Sequence, residues 1–125
     1  LYVQQNPVVN AFTGGVEKPI IVLHSSLIER LTDEEVLAVI AHEVGHIHAE
    51  HVLYLTAARL LEALANASLS RLIPGGEIIK FLISAGISSA LLAWARRAEL
   101  SCDRAALLVC QDPHVIGRTM MKLCG

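Results

Sequence analysis

Thr32-Asp33-Glu34-Glu35-Val36-Leu37-Ala38-Val39-Ile40-Ala41-His42-Glu43-Val44-Gly45-His46 is the stretch on which the reading of the fold turns. Thr32 is a good helix N-cap and Glu35 stands three residues on. In that pairing each side chain takes up a free backbone N–H at the helix start. Asp33, Glu34 and Glu35 also put negative charge at the positive end of the helix dipole. Val36, Val39, Ile40, Val44 and Ile47 then recur at helical spacing. Leu53, Leu60, Leu61 and Leu64 continue the pattern, so a single long helix is expected.

Inside this helix lies His42-Glu43-Val44-Gly45-His46, an H-E-x-x-H motif. At about 100° per residue, positions four apart fall on one face. The two imidazoles can therefore point at one metal ion, with Glu43 beside them to hold a water. Gly45 sits on the ligand side, where the lack of a side chain allows another element to approach. A catalytic zinc takes three protein ligands and keeps one open position, so a third ligand must come from elsewhere. The residues alone offer Glu99, Asp103, Glu50, His48, His51 and Cys102. On a continuous helix His48 and His51 lie well around from His42 and read as solvent-facing, and Glu50 would need a bent approach. Glu99 and Asp103 lie one turn apart on a second helix, on a face with the small residues Ala95, Cys102, Ala106 and Cys110. Such a face can pack closely on the motif helix, and two carboxylates buried there would call for a compensating cation.

Outward from the motif, the first 30 residues read as β. Leu1–Val3, Val8–Thr13 and the β-branched run Ile20–His24 are the expected strands, with Gly14-Gly15 as a turn. Ser26–Arg30 fits a single helical turn. Pro74-Gly75-Gly76 breaks the chain, a helix is expected over Glu77–Val109 with Gly86 as a kink point, and Asp112-Pro113 precedes a short helix over Val115–Leu123.

The chain has 125 residues, 54% of them hydrophobic, which places it among folded domains rather than disordered chains. Its length predicts one domain. A net charge of -2 and 4% aromatic content argue against nucleic acid as a partner. The count of three Cys is odd, and Cys102 and Cys110 share a helix, so a disulfide framework is not expected. An intracellular, reducing compartment follows, cytoplasmic or membrane-associated. Ile78–Ala95 is the least polar stretch, but its uninterrupted part after Lys80 is about 15 residues, against about 20 for a spanning helix. Two readings stay open for residues 78–95, a buried soluble helix or one that inserts into or touches a membrane. The chain starts at Leu1 rather than Met and ends just after an apolar helical pattern, so it reads as part of a longer protein.

His42-Glu43-x-x-His46 followed by Glu99-x-x-x-Asp103 resembles the gluzincin zinc metallopeptidases, and more closely their HtpX-like and CAAX prenyl protease group. Other matching features are Asn10-Ala11-Phe12 before the Gly-Gly turn, Leu31-Thr32-x-x-Glu35 leading into the motif helix, and Arg97-Ala98-Glu99-x-x-Cys102-Asp103-Arg104-Ala105. The resemblance covers almost the whole chain. It implies a mainly helical, zincin-like α+β catalytic domain over residues 1–125, with a small N-terminal sheet and the motif helix packed on a glutamate-bearing helix.

It also implies site roles: His42, His46 and Glu99 as ligands of one zinc ion, Glu43 as general base, and Asp103 as hydrogen-bond partner of a ligand imidazole. Asn10, Ala11 and Phe12 would form an edge strand that pairs with an extended peptide or protein substrate. Members of the group usually carry a further His or Arg after the glutamate helix to stabilise the oxyanion. His114, Arg118 and Tyr54 are the residues this chain offers. The expected activity is that of a zinc endopeptidase. The alternatives are a metal-binding domain inactive alone, because oxyanion or lid residues lie elsewhere, and a membrane-associated helical segment whose metal serves stability.

Overall fold

The computed structural model describes residues 1–72 and 77–124. Three short strands come first: β1 (Tyr2–Gln4), β2 (Ala11–Gly14) and β3 (Ile20–His24). The apolar, β-branched β3 is central, as its burial from Ile21 to His24 requires. β1 pairs with it in parallel and β2 antiparallel, giving the order β1-β3-β2. The second strand begins at Ala11 rather than Val8. The Val8 carbonyl instead accepts from His24 Nδ1–H at 2.9 Å and from the Ser26 hydroxyl at 2.7 Å, which takes it out of the ladder. β2 runs to Gly14, one residue past the expected end at Thr13. Gly15 has φ 85°, and a Cβ there would stand 2.6 Å from the Lys18 carbonyl oxygen, so only glycine fits.

Five helices follow: α1 (Ser25–Arg30), α2 (Asp33–His48), α3 (His51–Leu72), α4 (Glu77–Cys110) and α5 (Pro113–Cys124). The architecture is α+β and mainly helical, as expected. The capping box of α2 is formed: Glu35 N–H donates to Thr32 Oγ1 at 3.4 Å, and Thr32 N–H donates to Glu35 Oε2 at 2.9 Å. The expected single long helix is two. Ala49 N–H closes on the Gly45 carbonyl at 3.0 Å, Glu50 N–H on that of Ile47 at 3.1 Å, and Glu50 takes φ 52°. A left-handed residue just past the last turn ends a helix even when it is not glycine. The apolar repeat did not reveal this break, because α3 resumes at once with its own leucines. α4 passes Gly86 without interruption, and Pro74-Gly75-Gly76 lies outside the described residues.

The chain forms two compact units. One comprises Leu1–Val52 with Ala98–Gly125, and its core gathers Ile21, Leu23, Leu27, Leu31 and Val39 between the sheet, α1 and α2. The other is Leu53–Arg97, formed from arms of α3 and α4, where the Ser88 hydroxyl donates to Glu62 Oε1 at 2.6 Å. Among the described residues no helix is long and apolar enough to cross a membrane. The apolar residues Ile78, Phe81 and Leu82 are exposed in this chain, which departs from a buried helix.

Glu35 does more than cap. It is 1% exposed, and Lys122 of α5 donates to its Oε2 at 2.7 Å, with Arg118 Nε 3.9 Å from Oε1. Arg118 is thus part of a structural ion pair. The Lys122 hydrogen bond, then that from Thr32, holds the Glu35 carboxyl below the ordinary glutamate range despite its burial. A carboxylate with a lowered folded pKa adds stability that is complete above its unfolded pKa and is lost as pH falls through the folded one. Lys122→Met is therefore expected to cost about 1–2 kcal/mol near neutral pH, Lys122 itself being partly solvated. It should also move the acid-unfolding midpoint to higher pH, read by circular dichroism.

Candidate active site

The site lies within the first unit, where α2 meets the C-terminal turns of α4. Gly45 is buried at that contact. A Cβ there would stand 3.0 Å from Cys102 Cα, 3.2 Å from Cys102 Sγ and 3.3 Å from Ala105 Cβ. The small face of α4 is built from Ala98, Cys102 and Ala106, all buried.

This approach brings the sequence-predicted groups together. His42 and His46 place their Nε2 atoms 3.2 Å apart. Glu99 Oε2 stands 3.2 Å from His42 Nε2, and its Oε1 3.7 Å from His46 Nε2. Two ligands of a tetrahedral zinc at about 2.0–2.1 Å are separated by roughly 3.3 Å, so this triangle has the right size. Asp103 Oδ1 lies 3.0 Å from His42 Nδ1. A carboxylate only accepts, so the Asp103 contact calls for the proton on His42 Nδ1, and the neutral ring in that tautomer presents a lone pair at Nε2. Lone pairs converging with a carboxylate repel one another unless a cation stands among them, and the donor set fits a metal.

One expectation changes. The side chain of Glu99 is 59% exposed, so it faces the open side of the site and the cost of burying it does not arise.

Cys102 offers a rival third ligand. Its Sγ and a nitrogen of each of His42 and His46 all lie within 4.8 Å of one another. The Glu99 oxygens stand 3.2 and 3.7 Å from the two Nε2 atoms, whereas the sulfur packs beneath Gly45 and lies 3.5 Å from His51 Nδ1. Burial, followed by the charges of Glu99, Glu43 and Asp103, pushes the Cys102 thiol up to about 12. Cys102, Cys110 and Cys124 are all free.

Two residues of the site escaped the sequence reading. The hydroxyl of Thr13 donates to Glu43 Oε2 at 2.6 Å and lies 3.2 Å from the Glu43 carbonyl oxygen. This pins the carboxylate beside the histidines. Strand alternation from Ala11 would have put Thr13 on the helix-facing side. The other is His51, expected to face solvent on a continuous helix. The break at Ala49-Glu50 turns it back, and its Nδ1 lies 3.1 Å from His46 Nδ1. Burial, then the charge of His46, lowers its pKa and favours neutral imidazole. Asn10, Ala11 and Phe12 lie at the edge of the sheet: the Asn10 carbonyl accepts from His24 N–H at 3.0 Å, and Phe12 is exposed. His48 and Glu50 are exposed, and so is His114, whose backbone N–H is held by Asp112 Oδ1 at 2.8 Å.

The chain matches the profile of Peptidase family M48 over residues 1–124. The chain belongs to peptidase family M48. Among curated relatives of this M48 chain is the plastoglobule-localized metallopeptidase 48, chloroplastic, of Arabidopsis thaliana, 47% identical over 128 residues, which cover all of this chain and 35% of the relative. Protease HtpX homolog 2 of Methanosarcina mazei is 31% identical over 134 residues, covering 93% of this chain and 46% of the relative. Protease HtpX homolog 1 of Streptomyces coelicolor is 27% identical over 135 residues, with 93% and 44% covered. The chain thus spans less than half the length of these relatives. No solved structure matches it. Membership of a metallopeptidase family implies a metal, in agreement with the donor set.

The M48 site depends on the missing side chain at residue 45. Gly45→Ala would gain up to about 1 kcal/mol of helix propensity but force the α4 backbone away. A net loss of about 1 kcal/mol is expected, and a larger one for Gly45→Val, measured by urea unfolding. Titration with divalent metal ions should show weaker binding in both.

Proposed function

We propose that this chain is the catalytic core of a zinc-dependent endopeptidase, with His42, His46 and Glu99 as zinc ligands and Glu43 as general base. The observation that carries the reading is the convergence of the two Nε2 atoms and the Glu99 carboxylate at 3.2–3.7 Å. A zinc ion held there would supply the positive charge that acidifies a water and polarises the scissile carbonyl. Glu43 would take the proton of that water at its carboxylate and hand it to the leaving amine. Thr13 holds Glu43 in place for this, and Asp103 keeps the His42 lone pair at Nε2.

The edge strand supports a peptide substrate. The His24 N–H to Asn10 carbonyl bond, with the pairing of Phe12 and Val22, sets which residues bond to β3. Antiparallel alternation then turns the Ala11 carbonyl and the backbone groups of Thr13 to the free edge, where an extended peptide can add as a strand, while the Ala11 N–H is held by Asn10 Oδ1 at 2.9 Å. A peptidase of this kind reads backbone, which suits a nearly neutral chain. The free cysteines fit a reducing compartment. The exposed Ile78, Phe81 and Leu82 call for a cover, supplied by a lipid surface or by the rest of the protein.

A second reading has an observation in its favour. Arg118 pairs with Glu35 and His114 is exposed, so neither is held at the metal cradle for an oxyanion role. On that reading the chain binds zinc but needs further segments for turnover.

Glu43→Gln is expected to keep one zinc per chain and to lose at least about a hundredfold in cleavage of casein. His46→Ala is expected to lose the metal, as seen by elemental analysis. Wild-type cleavage by Glu43→Gln overturns the base assignment. Zinc without cleavage in the wild-type chain, with activity in a longer chain, selects the second reading.

A further inference from the structure

His42 and His46 each need their proton on Nδ1 if Nε2 is to face a metal, and each Nδ1–H then needs an acceptor. Asp103 supplies one for His42. For His46 the partner at Nδ1 is the Nδ1 of His51, at 3.1 Å, with the two rings 73° apart and their centroids 5.2 Å apart. We propose that His51 is a positioning residue for the metal site: its Nδ1 accepts from His46 Nδ1–H and so fixes the tautomer in which His46 Nε2 is a free ligand. This rests on the zinc-site reading above.

Only one arrangement of protons is compatible with a metal bound at His46 Nε2. If His51 Nδ1–H donated to His46 instead, a neutral His46 would carry its proton on Nε2, 3.2 Å from His42 Nε2 and aimed into the cradle. No ligand could then form there. With His51 accepting at Nδ1, its own proton sits on Nε2.

The fold places His51 for this by an unusual device. On an unbroken helix His51 would lie about 140° around from His46. The left-handed Glu50, with φ 52°, ends α2 and folds the first residue of α3 back over the last turn. Cys102 Sγ, 3.5 Å from the same Nδ1, backs His51 from the side of α4. The choice of a neutral acceptor also has a charge logic. Glu43, Glu99 and Asp103 already bring three carboxylates to the site, and a further one at residue 51 would add to an excess of negative charge.

The test measures zinc affinity by chelator competition on the whole chain, alongside circular dichroism. His51→Leu is expected to stay folded and bind zinc about 10–100-fold more weakly. His51→Gln, whose amide oxygen can take the same proton, is expected to recover most of that loss, which a merely structural role would not allow. Long-range nitrogen-15 correlation spectra of the zinc-loaded chain should show His46 protonated at Nδ1 and His51 at Nε2. Affinity in folded His51→Leu within about twofold of wild type, or a His51→Gln no better than His51→Leu, overturns the inference. So does a spectrum with His51 protonated at Nδ1. A wild-type chain that binds no zinc removes the zinc-site reading and this inference with it. Wild-type zinc binding lost in His46→Ala but kept in His51→Leu removes the inference alone.

Discussion

At Gly45 the motif helix has no side chain, and there α4 comes so near that a methyl group would stand 3.0 Å from the Cα of Cys102. The site hangs on that approach. Glu99 and Asp103 lie one turn apart on α4, on either side of the turn that carries Cys102. Moving the two helices apart by the width of a methyl would carry both carboxylates away from the imidazoles they face. Small residues on both helices therefore stand where a large apolar pair would have added more burial, and the molecule gives up some packing to hold the carboxylates against the imidazoles.

The same economy governs the rest of the first unit. β3 supplies the buried floor, and β2 lies at its edge with Thr13 reaching Glu43 from the face turned to α2. Glu35 binds the start of α2 to α5 through Lys122, so one carboxylate both caps the motif helix and anchors the C-terminal helix on it. The motif helix is thus held at its start by an ion pair, along its middle by the sheet and near its end by α4. A rigid helix held at three places is what a metal site needs, because its ligands must keep their positions to within a fraction of an ångström.

Much of this was legible in the sequence. The capping box at Thr32 and Glu35, the central strand from Ile20 to His24 and the turn at Gly15 are local features, set by side chains a few residues apart. The pairing of His42 with His46 is equally local, being a consequence of helical pitch. The match to Glu99 and Asp103 came from spacing along a second helix, and the structure brings those residues to the histidines. What stayed hidden was non-local or rested on one backbone angle. The end of α2 depends on Glu50 adopting a left-handed conformation, which its side chain does not announce. Lys122, the hydrogen-bond partner of Glu35 on α5, lies 87 residues away.

By itself, the sequence determined most of the elements, though not the break between α2 and α3, and the pairing of His42 with His46, because helix caps, strand alternation and the four-residue repeat of a helix are short-range properties. It also placed the chain in its family. Only the tertiary structure decided how the donors are completed. It brought the Glu99 carboxylate and the Cys102 thiol to the same pair of imidazoles and set Thr13 against Glu43. It gave Arg118 to Glu35 and turned His51 from an expected solvent-facing residue into the partner of His46. Each of those outcomes depends on distances between residues on different elements, and such distances are set by packing and by a single helix break rather than by any local pattern.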